Sequence, residues 1–189
     1  MTLAEAILSR RTITQFRPDP VPAALIEKII VFGIWAPNHH VTEPWRFIVV
    51  GEQTRRRLAE RYGRIQMDRA PAHVDAGSRE KIGEAGVQKF MGKPAVIAVA
   101  CLQEGDEQRR REDYAAACCA TQNIQLAAWD LGLGMQWSTH PITMEGATCN
   151  LFGLDPGREM VIGFFYAGYP QDVPKPRRRP LSEVIRWTP

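Results

Sequence analysis

Long apolar runs are missing from this 189-residue chain, and no stretch approaches the about 20 residues a helix needs to cross a bilayer. The N-terminus lacks the apolar core of a secretory signal, because Glu5, Arg10 and Arg11 interrupt it. A cytoplasmic location is the expectation that follows. Cysteine is scarce: Cys101, Cys118, Cys119 and Cys149 form no C-x-x-C pair and show no metal-ligand spacing. Adjacent Cys118 and Cys119 would point about 100° apart on a helix, which argues against a shared metal. All four are expected reduced and at least partly buried. There is no internal repeat and no G-x-G-x-x-G. The nearest approach, Gly132-Leu133-Gly134, ends a helix instead of opening one and has no third glycine, which excludes a dinucleotide turn.

What is present is an ordinary globular balance, 44% hydrophobic and 24% charged residues, in a length that suits one domain over residues 1–189. The net charge of +3 is clustered, with arginine triplets at 55–57, 109–111 and 177–179. Nucleic acid is the obvious thought. The first two triplets are flanked by Glu52, Glu60, Asp106, Glu107, Glu112 and Asp113, a mixture that reads as solvated helix face. No nucleic acid and no membrane are therefore expected as partners.

Thr2-Leu3-Ala4-Glu5 is a capping box that opens a short helix ending near Arg10. Leu25, Ile26, Ile29, Ile30 and Gly33 stripe a second helix, stopped by Pro37. Apolar strands are predicted at 47–50, 95–100 and 160–166, the first buried on both faces, with an extended segment at 135–138. A basic helix lies at 54–62. Residues 63–93, with Gly77, Gly83 and Gly86, read as helical pieces and loops. The longest helix, 112–131, carries Ala115, Ala116, Ala117, Ala120, Ala127 and Ala128, small enough for close approach by another element. Proline forbids regular helix in the tail from 171. This order gives an α+β or α/β sandwich.

Three places could carry chemistry. Arg10, Arg11 and Thr12 stand where a helix gives way to a turn: two guanidinium groups and a hydroxyl suit a phosphate, or the cations stabilise the helix C-terminus. His39 and His40 follow a helix stop. They lack a third ligand nearby for a metal, and Asn38 can cap the loop. Arg177, Arg178 and Arg179 form a basic tail.

The segments Ser9-Arg10-Arg11-Thr12-Ile13-Thr14-Gln15-Phe16 and Trp35-Ala36-Pro37-Asn38-His39-His40-Val41-Thr42-Glu43-Pro44-Trp45-Arg46-Phe47-Ile48-Val49-Val50 resemble the flavin-dependent nitroreductase-like family. The resemblance spans nearly the whole chain and is specific at 9–16, 35–50 and 177–185. It implies an α+β fold, a mostly antiparallel sheet wrapped by helices, and a homodimer with FMN at the interface, its core expected on the small-residue helix at 112–131. Arg10, Arg11 and Thr12 would then hold the FMN phosphate and ribityl oxygens, joined by Arg178. His39 would lie against the flavin, with Trp35 beside it where part of the family has Arg. Gln136, Trp137 and Ser138 match the strand that contacts the flavin. Thr14 departs from the basic residue some relatives carry, Val41 from an Asn, and Glu43 from the Gln of Gln-Pro-Trp. The implied reaction is ping-pong. NADH or NADPH reduces FMN, which then reduces a nitroaromatic, quinone or related small-molecule acceptor. No side chain is required as acid or base, so no catalytic residue is assigned. The alternative is a non-catalytic FMN or small-ligand binding protein.

Overall fold

Thr2 and Glu5 close the capping box reciprocally: the Thr2 hydroxyl accepts from the Glu5 N–H and the Glu5 carboxylate accepts from the Thr2 N–H. Helix α1 (Leu3–Ser9) starts there. The structure, a computed structural model, describes all residues from 1 to 189. After α1 come α2 (Ala23–Gly33), β1 (Trp45–Val49), α3 (Glu52–Asp68), α4 (Ala76–Met91), β2 (Ala95–Leu102), α5 (Glu107–Asp130), β3 (Gly134–Ser138), α6 (Gly146–Leu151) and β4 (Glu159–Gly168).

The four strands form one antiparallel sheet in the order β1-β2-β4-β3. Alternation across the two central strands creates two cores. Ile97, Val99, Cys101, Met135, Phe165 and Ala167 face α2 and α5, meeting Ile26, Ile29, Ile124 and Ala128. Val96, Ala98, Phe164 and Tyr166 face α3 and α4, meeting Leu58, Ala59 and Phe90. The result is a sheet with helices on both faces, the α+β arrangement that the resemblance implies.

Four expectations change. First, β1 is an edge strand: Arg46 and Val49 are exposed, so it is not buried on both faces. Second, residues 63–93 are not irregular. They belong to an α3–α4 hairpin whose helices cross at glycines, because a Cβ at Gly63 would meet the Gly83 carbonyl at 2.7 Å. The glycines are contact points here and not breaks. Third, Ala120 is 0% exposed, packed with Ala36, Trp45 and Ala116 of its own chain. The small residues of α5 largely serve the chain's own core, and Ala115, Cys119 and Gln122 form the outward stripe. Fourth, Cys119 is exposed, while Cys101 and Cys149 are buried. Burial pushes the Cys101 thiol up to about 12, which makes it inert as a nucleophile.

Candidate cofactor site

Helix α1 stops because Arg10 leaves helical geometry, at φ −56° and ψ 132°. The chain then runs alongside the free edge of β3. The Ile13 N–H donates to the Met135 carbonyl at 3.0 Å, and Thr12 pairs with Met135 as a parallel bridge. Thr12 is left exposed. Arg11 donates through Nη1 to the carbonyls of Leu8 (2.8 Å) and Arg10 (2.7 Å), while its Nε is buried without a partner. Burial, then the like charges of Arg178 and Arg11, lower the pKa of Arg10. The tail therefore returns Arg178 to the Arg10 neighbourhood. None of Arg10, Arg11 and Arg178 is in an ion pair with a carboxylate. Three guanidinium groups gathered without a counter-charge have the chemistry to accept an anion.

Strand β3 continues from this loop with its side chains divided. Gln136 and Ser138 face the α3–α4 side, where Gln136 stands opposite Tyr166. Gln136 Oε1 is buried with no hydrogen-bond partner. Burial pushes the Tyr166 phenol up to about 12, with a hydrogen bond to Ser138 opposing the shift. Trp137 points to the other face. Its indole N–H donates to the Ile162 carbonyl at 3.3 Å, its ring lies 5.1 Å from Phe165, and a Cβ at Gly163 would overlap it. The Trp137 side chain is therefore half-buried, packed against the α2–α5 core on the face away from Gln136 and Ser138.

The His39 loop lies elsewhere. Asn38 caps it, with Oδ1 accepting from the Glu43 N–H at 3.0 Å. His40 (φ 55°), Val41 (φ 53°) and Glu43 (φ 42°) are all left-handed, a costly run for residues that are not glycine. Two carboxylates of α5 hold it. His39 Nδ1 meets Glu112 Oε2 at 2.7 Å, and the Thr42 hydroxyl donates to Asp113 Oδ1 at 2.5 Å. His39 and His40 stack on each other at 3.9 Å, and no group of three or more His, Cys, Asp or Glu side chains is placed to hold a metal. Trp35, 80% exposed, lines an apolar groove of about 530 Å³ with Met1, Leu3, Phe32 and Leu126.

Sequence reasoning missed several participants. Glu112 and Asp113 had read only as neighbours of the arginine triplet at 109–111. His140, just past β3, contacts Gln66 at 2.7 Å and lies 4.2 Å from the Tyr62 ring, pinning α3 beside the end of β3. Burial, then Arg69 and Lys89, hold its pKa low. Of the triplet at 55–57, Arg56 is the solvated ion pair expected, with Glu52 at 3.1 Å. Arg55 turns inward to the Met91 carbonyl at 2.5 Å.

One chain brings Arg10, Arg11, Thr12, Gln136, Ser138 and Arg178 toward one region, but not His39. The Ser9 hydroxyl accepts from the Trp129 indole N–H near the end of α5, whereas His39 is bound to Glu112 near its start. Seventeen helical residues separate these anchors by roughly 25 Å. The His39 loop also sits on the α5 side of the sheet, opposite Gln136 and Ser138.

An antiparallel sheet sandwiched by helices, with an arginine-rich loop on its edge, defines an α+β protein. The chain belongs to the Nitroreductase family, whose profile matches residues 7–169. It is 33% identical over 181 residues to YfhC of Bacillus subtilis (strain 168), which carries an NAD(P)H nitroreductase name. That match covers 94% of this chain and 89% of the relative. Among solved structures, a nitroreductase-like family protein from Bacillus cereus superposes with a TM-score of 0.84 at 28% identity, covering 100% of this chain and 96% of that one. A nitroreductase from Desulfovibrio desulfuricans, solved in complex with FMN, superposes with a TM-score of 0.75 at 27% identity, covering 100% and 98%.

Proposed function

We propose that this chain is an FMN-dependent NAD(P)H oxidoreductase that works by a ping-pong cycle on nitroaromatic, quinone or related acceptors. The observation that carries the reading is the cluster of Arg10, Arg11 and Arg178 without carboxylate partners, beside the exposed Thr12. The residues fit FMN. One phosphate suits the arginines and the Thr12 hydroxyl, and the orphaned Arg11 Nε and Gln136 Oε1 are a donor and an acceptor that need a partner. Bound FMN would accept a hydride from NADH or NADPH and return electrons to the acceptor. The chain's own part is to fix the phosphate end at residues 10–12, to offer Gln136 and Ser138 along β3, and to shield that face with α3 and α4. Solvent supplies protons, so no residue is assigned as acid or base. No helix of the chain is long and apolar enough to cross a membrane; the cytoplasmic setting is part of the proposal.

The working unit is a homodimer. A second copy's His39 loop completes the site, because a chain's own loop is anchored roughly 25 Å along α5 from its phosphate end. Exposed Leu3, Leu8, Phe32, Trp35 and Val41 supply apolar surface for the contact. Initial rates measured while varying NADH or NADPH at several fixed acceptor concentrations should give parallel double-reciprocal lines. Intersecting lines would exclude the ping-pong cycle. No NAD(P)H oxidation by FMN-loaded protein would favour the non-catalytic alternative.

A further inference from the structure

Lys93 is the buried cation that the reading above does not use. It is 8% exposed, immediately before Pro94 and β2. Its ammonium donates to the Thr14 carbonyl at 3.1 Å and lies 5.2 Å from the Phe16 ring centroid and 5.0 Å from that of Tyr166. It is in no ion pair. Burial lowers its pKa, and the like charge of Lys89 lowers it further. One carbonyl and two ring faces are weak compensation, since an ion taken out of water without a counter-charge costs several kcal/mol.

The location gives that cost a use. Thr14 follows Thr12 by two residues in the segment that runs along β3, so at extended-chain rise the two are roughly 7 Å apart. Lys93, bonded to Thr14, thus lies two residues from the end of the Arg10–Thr12 loop, within about one Debye length of Thr12. Tyr166, whose ring the ammonium faces, is paired directly with Gln136. The cation therefore touches the N-terminal segment and, through Tyr166 of β4, the strand that pairs with β3, the elements beside the Arg10–Thr12 loop.

We infer that Lys93 is a positioning residue for FMN: it ties Thr14 down so that residues 10–12 lie along β3, and its uncompensated charge adds to the field that holds the anionic cofactor. The inference rests on the FMN reading above. It separates two quantities that a purely structural lysine would move together. Lys93→Met removes a buried unpaired charge and keeps the apolar stem, so the apoprotein should melt at the same temperature or higher. FMN affinity should nevertheless fall by about tenfold, and the dependence of log Kd on salt should flatten, because one cation has left the field. Lys93→Arg keeps the charge and should retain most of the affinity.

The experiment is titration of wild-type, Lys93→Met and Lys93→Arg apoproteins with FMN, read by quenching of flavin fluorescence at several salt concentrations, together with their melting curves without cofactor. Weaker, less salt-sensitive binding by Lys93→Met at unchanged or raised melting temperature, with recovery in Lys93→Arg, supports the inference. Equal affinity in wild type and Lys93→Met overturns it while leaving FMN binding intact. A parallel loss of stability and affinity makes Lys93 a structural strap and also overturns it. Failure of wild type to bind FMN at all overturns the FMN reading and this inference together.

Discussion

Arg10→Ala should weaken FMN binding by roughly 10- to 100-fold, the consequence of losing a charge-assisted phosphate contact of about 1.5–3 kcal/mol. Arg10 is half-buried, pushed down in pKa by burial and by Arg178 and Arg11, and free of any carboxylate. A cation in that setting gains most when an anion arrives. The matched control is Arg56→Ala. Arg56 is exposed on α3 and already paired with Glu52 at 3.1 Å, so its removal should leave FMN binding within about twofold. Titration of the two apoproteins with FMN reads the difference directly. Equal effects would mean that Arg10 is only a cation at the end of α1. Arg11 is a less clean probe, because its Nη1 already closes the α1 carbonyls of Leu8 and Arg10. Its loss would mix helix capping with binding.

The second large effect concerns the assembly. If the phosphate end belongs to one chain and the His39 loop to the other, two defects on different chains should complement each other. Arg10→Ala removes the phosphate end. His39→Glu sets a carboxylate against Glu112, which now accepts His39 at 2.7 Å, and the repulsion displaces a loop already strained at His40, Val41 and Glu43. In a dimer carrying one chain of each kind, one site inherits both defects and the other inherits neither. Differently tagged chains, co-expressed and purified through both tags, should therefore bind one FMN per dimer at close to wild-type affinity, while each variant alone binds poorly. A mixed dimer as poor as its parents would place the whole site within one chain. A monomer at micromolar concentration that holds FMN at wild-type affinity would do the same.

Much of the fold was legible because its signals are local. The Thr2–Glu5 box, the apolar stripe of α2, the runs that became β2 and β4, and the length of α5 depend on nearest neighbours along the chain. The α3–α4 hairpin was not legible. A glycine that breaks a helix and a glycine that lets two helices touch look alike in sequence, and only the packing of Gly63 on Gly83 distinguishes them. The direction in which a small residue faces was hidden for the same reason. Ala120 and Cys119 are adjacent, yet one is core and the other surface. At the site, the family resemblance supplied the residue types at 10–12, 39 and 136–138. Apolar alternation along β3 did not reveal that Trp137 packs away from Gln136 and Ser138. The partners of polar groups lie far along the chain: Glu112 is 73 positions from His39, and Lys93 is 79 from Thr14. Such pairs leave no local signature, which is why the strained loop's anchors and the buried lysine emerge only in three dimensions.

The most direct measurement is the identity and amount of flavin on the protein. Purified protein, reconstituted with a mixture of FMN and FAD, is stripped of excess cofactor and heat-released, and the flavin is separated by chromatography and counted per chain. A single-phosphate site without a dinucleotide fold predicts FMN alone, at close to one per chain, with the yellow colour bleached by NADH or NADPH in the absence of oxygen. Recovery of FAD, or of no flavin after reconstitution, would contradict the account.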